Sequence, residues 1–135
     1  KLSMTHKNLK SNREYKYFVA AYKMVKGRKI YIAKSNEMHV AMKQARTTNA
    51  VSIKVNRTTV ILKTGKTFRL KCQLTGENRK KKLLSHSSSY RYYTTSSKIA
   101  TVSKNGVIRA NAKGSCSIYV LANNGVYKKV TVKVK

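Results

Sequence analysis

Only three side chains in this chain of 135 residues could supply a carboxyl group for acid–base chemistry: Glu14, Glu37 and Glu77. Glycosidase-type catalysis needs two carboxyl groups held at a defined separation in one site. The three glutamates fall in different predicted elements. The sequence therefore predicts no paired-carboxylate site.

The three histidines, His6, His39 and His86, could act as general bases only beside an acid and a nucleophile. His39 is two residues from Glu37, so the two side chains share one face of a strand. No nucleophile motif such as G-x-S-x-G accompanies them. We interpret the histidines as surface residues and predict that the chain is not an enzyme.

The spacing of the cysteines and histidines does not favour a metal site. Two cysteines and three histidines show no C-x2-C or H-x3-H pattern. Calcium would need clustered carboxylates, and a phosphate-binding loop would need a glycine-rich turn. The sequence has neither, so we expect no metal ion and no cofactor.

The charge of the chain is its outlying property, with 31 Lys and Arg against three Glu, no Asp and a formal net charge of +28. This surplus exceeds what solubility requires and favours an anionic partner: a cell-wall polymer, a nucleic acid or a sulfated glycan. The alternative is that lysines simply decorate exposed strand faces. The densest run, Arg79, Lys80, Lys81 and Lys82, lies in the polar loop Thr75–Ser89, and we predict polyanion contact there.

Alternation of apolar and polar residues is the main structural signal, because it lets a strand bury one face and expose the other. It predicts strands at Val51–Val55, Arg57–Leu62, Thr67–Leu74, Ser89–Thr94, Ile99–Ser103, Val107–Ala110, Ser115–Leu121 and Tyr127–Val134. Asn-Gly pairs at 105–106 and 124–125 suit the positive φ angles of tight turns. No stretch shows the apolar spacing and end signals of a helix.

From residue 51 onward, the order of apolar residues and turns resembles the group 2 bacterial immunoglobulin-like domains. The resemblance rests on Leu62-x-x-Gly65-x-x-x-x-Leu70 and on the segment ATVSKNGVIRANAKGSCSIYVLANNGV. It implies a small β-sandwich of the kind carried by secreted and surface proteins of bacteria and some phages. Where that family usually has a buried Trp this chain has none, and we expect Tyr92 or Tyr90 to fill the position.

The same resemblance places Cys72 on the second strand and Cys116 on the sixth, the two strands that immunoglobulin domains join across their sheets. Cys72 shares parity with Leu74, and Cys116 with Ile118, so both cysteines are expected to point inward. The family itself usually lacks this bridge. We predict a Cys72–Cys116 disulfide, with two buried free thiols as the alternative.

Residues 1–43 resemble the last two strands of a fibronectin type III domain. The resemblance rests on Leu9 followed by Tyr15, then Tyr-x-Val-x-Ala-Tyr, a turn at Lys26–Lys29 and Lys34-Ser35-Asn36. In that family the tyrosine, here Tyr15, holds a corner by hydrogen bonding back to the backbone. The earlier strands of such a sandwich are expected upstream of Lys1, unless another chain supplies them or the segment packs on its neighbour.

The predicted fold is therefore all-β: an immunoglobulin-like β-sandwich preceded by a partial fibronectin type III-like β-hairpin. The predicted divisions are residues 1–43 as the end of a truncated fibronectin-like domain, a polar linker at 44–50, and the immunoglobulin-like domain at 51–135. No run of 18 apolar residues predicts a membrane span.

The expected function is that of a non-catalytic extracellular module in a larger bacterial surface or secreted protein. It would act as a spacer, an adhesion unit or a unit that binds cell-wall polymer or another polyanion. One alternative is a nucleic-acid binder, since Tyr90, Tyr92 and Tyr93 beside Arg91 resemble the basic and aromatic mixture of single-strand binders. Another is a filament subunit whose exposed strands are completed by neighbouring chains.

Overall fold

The computed structural model describes residues 3–85 and 89–135, and every regular element in these residues is a β-strand. The strands are, in chain order, β1 (Glu14–Tyr17), β2 (Ala20–Val25), β3 (Arg28–Lys34), β4 (Met38–Ala41), β5 (Thr47–Thr48), β6 (Ala50–Val55), β7 (Thr59–Leu62), β8 (Thr67–Arg69), β9 (Cys72–Gly76), β10 (Lys82–Leu83), β11 (Arg91–Thr94), β12 (Ala100–Val102), β13 (Val107–Ala110), β14 (Gly114–Leu121) and β15 (Tyr127–Val134).

Two sets of strands share one hydrophobic core. The first is a four-stranded sheet in the order β11-β14-β15-β7, with β7 parallel to β15 and the other pairs antiparallel. The second set comprises the sheets β12-β13-β8 and β6-β9. Side chains from both sets belong to a single buried cluster. This arrangement confirms the predicted all-β, immunoglobulin-like fold.

The core follows directly from the alternation along the long strands. On β14, Cys116, Ile118 and Val120 are buried, whereas the residues between them remain partly accessible. Val130 and Val132 fill the same layer from β15 and are fully buried. Burying side chains of this size contributes about 1.5–3 kcal/mol each, which makes these two strands the centre of the domain.

The segment Thr67–Leu74, predicted as one strand, is two strands in different sheets. The break falls at Leu70, which is 3% exposed, and at Lys71. The side chain of Asn56 takes the hydrogen bonds that a continuous ladder would have made: its Oδ1 accepts from the Lys71 amide at 3.0 Å, and its Nδ2 donates to the Arg69 carbonyl at 3.2 Å. The inward parity predicted for this segment survives the break.

Residues 14–41 form two separate antiparallel pairs, β1 with β4 and the hairpin of β2 with β3. Lys26 and Gly27 make the hairpin turn with φ angles of 47° and 75°, as a tight hairpin turn requires. The segment from Tyr15 to Ala21 alternates apolar and other residues like one strand, but it is divided between two, because its first half pairs with β4 and its second half with β3.

Residues 44–50, predicted to be a polar linker, pack against the sandwich. They contain β5, which pairs in parallel with β10, and the buried side chains of Ala45, Thr48 and Ala50. The polar composition does not indicate this burial, because small side chains such as these can be buried in a narrow space. None of the described residues belongs to a helix capable of crossing a membrane.

Candidate functional site

A groove of about 870 Å³ lies between residues 41–49 and residues 77–81. We call it the basic groove. Its lining consists of Ala41, Met42, Lys43, Thr47, Thr48, Asn49, Glu77, Asn78, Arg79, Lys80 and Lys81. One wall comes from the predicted linker and the three residues before it, and the other comes from the loop that carries the basic run. The groove therefore exists only if contacts hold these two segments in place.

Asn49 and Thr48 hold the first wall in place. The Asn49 side chain makes two hydrogen bonds with the Ala41 backbone, both at 2.8 Å. Its Oδ1 accepts from the Ala41 N–H, and its Nδ2 donates to the Ala41 carbonyl. The Thr48 hydroxyl accepts from the Asn78 amide at 3.1 Å, and the Thr48 carbonyl accepts from the Leu84 amide at 2.8 Å. These contacts join the segment before the sandwich to the loop that follows β9.

Lys81 joins the two walls directly. Its ammonium group donates to the carbonyl of Lys43 at 3.1 Å and to that of Ala45 at 2.7 Å, and the side chain is half-buried. A charged donor makes stronger hydrogen bonds than a neutral one. Lys81 therefore stabilises the groove. In this it differs from Arg79, Lys80 and Lys82, the other members of the predicted polyanion set.

Three basic side chains at the groove are exposed: Lys43, Arg79 and Lys80. The Lys80 amide donates to the Asn78 side-chain oxygen at 2.9 Å, which fixes the turn that presents Arg79 and Lys80. Glu77 is the single acidic side chain in the lining, so the groove carries a positive balance. Such a site suits phosphate, sulfate or carboxylate groups.

The fourth predicted residue, Lys82, is exposed on β10 and does not line the basic groove. Lys43 and Asn49, in contrast, line it and were not predicted. Asn49 was missed because it falls in the predicted linker, and Lys43 was missed because it ends the segment assigned to the preceding fibronectin-like domain. The available signal was the small apolar pair Ala45 and Ala50 within an otherwise polar stretch.

The predicted Cys72–Cys116 disulfide is not present in the structure, which has both residues as free thiols. The Cys72 sulfur lies 3.7 Å from the Tyr92 hydroxyl, and the Cys116 sulfur lies 3.9 Å from the Thr94 hydroxyl. Both side chains point into the core, as their parity predicted, but their sulfur atoms have different neighbours. Partial burial raises the pKa of the Cys72 thiol.

The tyrosines of the 90–93 segment are divided between the two faces of β11. Tyr90 and Tyr92 pack against the core, and burial raises the pKa of both phenols. Tyr93 points outward and is 61% exposed. The guanidinium of Arg91 donates a hydrogen bond to the Glu37 carbonyl. A stacking surface made of Tyr90, Tyr92 and Tyr93 together is therefore not formed.

Glu37 and His39 are two residues apart in sequence. In the structure Oε2 of Glu37 lies 3.9 Å from Nε2 of His39. Glu37 is also bound by two lysines, with 2.9 Å to Lys34 and 3.4 Å to Lys16. The hydrogen bond from Lys34 lowers the pKa of the Glu37 carboxyl. His86 lies outside the described residues, and no cluster of three potential metal ligands occurs among those that the structure describes.

Tyr15 makes the hydrogen bond that the tyrosine corner requires. Its hydroxyl accepts from the backbone N–H of Lys10 at 2.8 Å, five residues upstream. His6 packs edge-on against Tyr15 and Tyr17, with ring centroids 5.7 and 5.9 Å apart. Tyr15 therefore has a structural position in the segment before the sandwich, and it does not line the basic groove.

A sequence profile of the family described as "Bacterial Ig-like domain (group 2)" matches residues 49–134. No curated protein is similar in sequence to the chain. Among solved structures, domains 4 and 5 of the S-layer protein SbsC align with a TM-score of 0.53 at 21% identity, covering 73% of this chain and 58% of that one. A longer structure of the same S-layer protein aligns with a TM-score of 0.54 at 21% identity, covering 76% of this chain and 15% of that one.

Proposed function

The chain belongs to the group 2 bacterial Ig-like domain family, and from this membership we propose that it is a non-catalytic module of a larger bacterial surface or secreted protein. The profile match covers more than half of the chain. Families of this kind are typical of extracellular and surface proteins. Support for a larger parent comes from the similar S-layer protein, in which the aligned region is a small part of the whole chain.

The junction before the sandwich supports a spacer role. The His39 amide donates to the Asn123 carbonyl at 3.0 Å, and the Asn124 side chain donates to the Ala50 carbonyl at 2.7 Å. Together with the Asn49 bonds to Ala41, these contacts fix the approach of the chain to the sandwich. A spacer needs such a junction, because a free hinge would let adjacent units rotate.

The basic groove is the single observation that carries the binding part of the proposal. Lys43, Arg79 and Lys80 converge there from two segments that hydrogen bonds hold together. We propose that the groove contacts an anionic polymer, and that the remaining lysines on the sandwich add non-specific attraction. Binding of this kind is driven by the release of condensed counterions and should fall steeply as salt is raised.

The test compares the intact chain with a Lys43→Gln, Arg79→Gln, Lys80→Gln variant for binding to heparin, wall teichoic acid and duplex DNA at low salt. The intact chain should bind all three. For duplex DNA, removing one phosphate contact should reduce the slope of log affinity against log salt by about one. The melting temperature should change little, because exposed lysines contribute little to stability.

The matched control is Lys98→Gln, Lys104→Gln, Lys113→Gln, which removes the same number of charges from exposed positions outside the groove. A larger loss of affinity and salt slope in the groove variant supports the groove as the contact site. Equal losses in the two variants would show that only net charge matters. If no polymer binds at low salt, the polyanion function is wrong.

A further inference from the structure

A row of three tyrosines crosses the outer face of the four-stranded sheet. Tyr93 on β11 lies opposite Tyr119 on β14, with ring centroids 6.4 Å apart. Tyr127 on β15 lies diagonally beside Tyr119, with ring centroids 5.7 Å apart. We call these three residues the tyrosine row. Three adjacent strands contribute one ring each, so the pairing of the sheet and not the sequence creates the row.

The tyrosine row is accessible although its rings touch one another. Tyr93 and Tyr127 are each 61% exposed, and Tyr119 between them is partly exposed. Ile118 and Val120, which flank Tyr119 along β14, point the opposite way into the core. The row is therefore on the outer face of a sheet whose inward side chains are fully buried. A row of this kind is a preformed surface whose use in binding requires no rearrangement.

The groups around the row are a lysine, two hydroxyls and the side chain of Leu121, which lies opposite Tyr127 in the sheet register. Lys129 lies directly opposite Tyr119 in the sheet register, and Ser117 lies opposite Thr131 two residues further along the same pair of strands. Hydroxyl groups both donate and accept hydrogen bonds. Sugar hydroxyls have the same double capacity, whereas nucleic-acid phosphates only accept. None of the three glutamates belongs to the strands of this sheet.

We propose that the tyrosine row binds an anionic polysaccharide. The C–H-rich faces of pyranose rings fit the electron-rich faces of tyrosine rings, and the neighbouring hydroxyls and Lys129 suit sugar hydroxyls and acidic groups. The ring planes turn by 40° and 58° from one tyrosine to the next, which suits a chain that twists along its length more than a run of parallel stacked bases. This site is separate from the basic groove, although it rests on the proposed surface function.

The test measures binding of the intact chain and of a Tyr93→Ala, Tyr127→Ala variant to alginate, to heparin and to oligo-dT at fixed low salt. The variant should bind alginate and heparin at least roughly tenfold more weakly, as expected when aromatic stacking is removed. Its salt slope should stay unchanged, because no charge has been altered. Tyr93→Phe, Tyr127→Phe keeps the rings and should retain most of the affinity.

Tyr31→Ala is the matched control, since Tyr31 is 68% exposed but lies on the β2–β3 hairpin. Melting curves of all variants establish that the sandwich is intact. Equal polysaccharide binding by the intact chain and by the Tyr93→Ala, Tyr127→Ala variant would contradict the proposal for the tyrosine row. It would not bear on the proposal for the basic groove. Loss of oligo-dT binding alone would show a nucleic-acid surface and overturn the proposal. No binding of any polymer by the intact chain would overturn both proposals.

Discussion

Residues 50–134 and the β2–β3 hairpin both form strands from alternating apolar and polar residues, but they bury them to very different extents. In the sandwich, Ile118 and Val130 have no exposed surface. In the hairpin, Tyr31 and Ile32 are 68% and 65% exposed, and every residue of β3 is exposed. Antiparallel backbone pairing is present in both regions, and each contains one register shift, between Ala21 and Tyr22 in the hairpin and between Ala50 and Ser52 in the sandwich.

The difference shows that strand formation and burial have separate causes. A two-residue turn and β-branched or aromatic residues suffice to pair β2 with β3. Burial requires a second layer, and only the sandwich has one. Two strands alone are marginal in water, so the hairpin depends on its surroundings for stability. The remaining question is how strongly the sandwich stabilises the segment before it.

The largest effect is expected from separating the two regions. Residues 51–135 expressed alone should unfold in one cooperative transition on heating, because they contain nearly all of the core. Residues 1–50 alone should show no cooperative transition, because they bury too little apolar surface to offset chain ordering. Circular dichroism against temperature is the measurement. A cooperative transition in the 1–50 fragment would mean that this segment is an independent domain.

Truncating one isoleucine in each region sharpens the comparison. Ile118→Ala should lower the free energy of unfolding by about 2–5 kcal/mol, because it leaves a cavity in a packed layer. Ile32→Ala should change it by less than about 0.5 kcal/mol, as is usual for exposed sites. Urea denaturation of the intact chain gives both values. A comparable loss for Ile32→Ala would show that the hairpin is covered in solution.

Gly27 and Gly106 are turn glycines with the same φ of 75°. Comparing alanine substitutions at the two positions therefore separates the cost of overpacking from the cost of backbone strain. A Cβ at Gly27 would meet nothing, whereas one at Gly106 would lie 2.8 Å from the Tyr92 hydroxyl and 2.9 Å from the Leu70 carbonyl. Gly27→Ala should cost about 1 kcal/mol from strain alone. Gly106→Ala should cost about 3 kcal/mol, because overpacking adds to the strain. Equal costs would mean that both the Tyr92 side chain and the Leu70 backbone move aside freely.

Lys81 tests the attachment between the two regions. Lys81→Ala should lower the free energy of unfolding by about 2 kcal/mol, because it removes two charge-assisted hydrogen bonds to backbone carbonyls. Lys82→Ala, which changes a neighbouring exposed lysine, is the control and should have almost no effect. Denaturation of the two variants in parallel decides the point. Equal stabilities would mean that the Lys81 bonds add nothing to the junction.

The smallest effect on stability is expected at Glu37, which forms ion pairs with Lys16 and Lys34. Because the folded-state pKa of Glu37 is lowered, its stabilising contribution is present above the unfolded pKa of about 4.3 and is lost as the pH falls through the folded value. Glu37→Gln should thus lower the melting temperature slightly at pH 7, with the difference disappearing in acid. Glu77→Gln is the charge-matched control. A difference that persists unchanged in acid would assign the effect to something other than the ionised carboxyl.

The sequence by itself determined the strands of the sandwich and the direction of their side chains. The four strands predicted from residue 99 onward match β12 to β15 to within one residue at each end. Tyr90 and Tyr92, the two residues expected where the family usually has a Trp, both pack against the core. Alternation and Asn-Gly turns are local signals, so they can be recognised without knowledge of the fold.

Only the tertiary structure decided which distant residues meet. In the folded chain Thr67–Leu74 is divided between two sheets, and residues 44–50 pack against the sandwich. Lys81 donates hydrogen bonds to two backbone carbonyls. The tertiary structure also brought Tyr93, Tyr119 and Tyr127 together from three strands. Alternation specifies which face a side chain occupies, but the partner across a sheet or a groove depends on the packing of elements far apart in the chain.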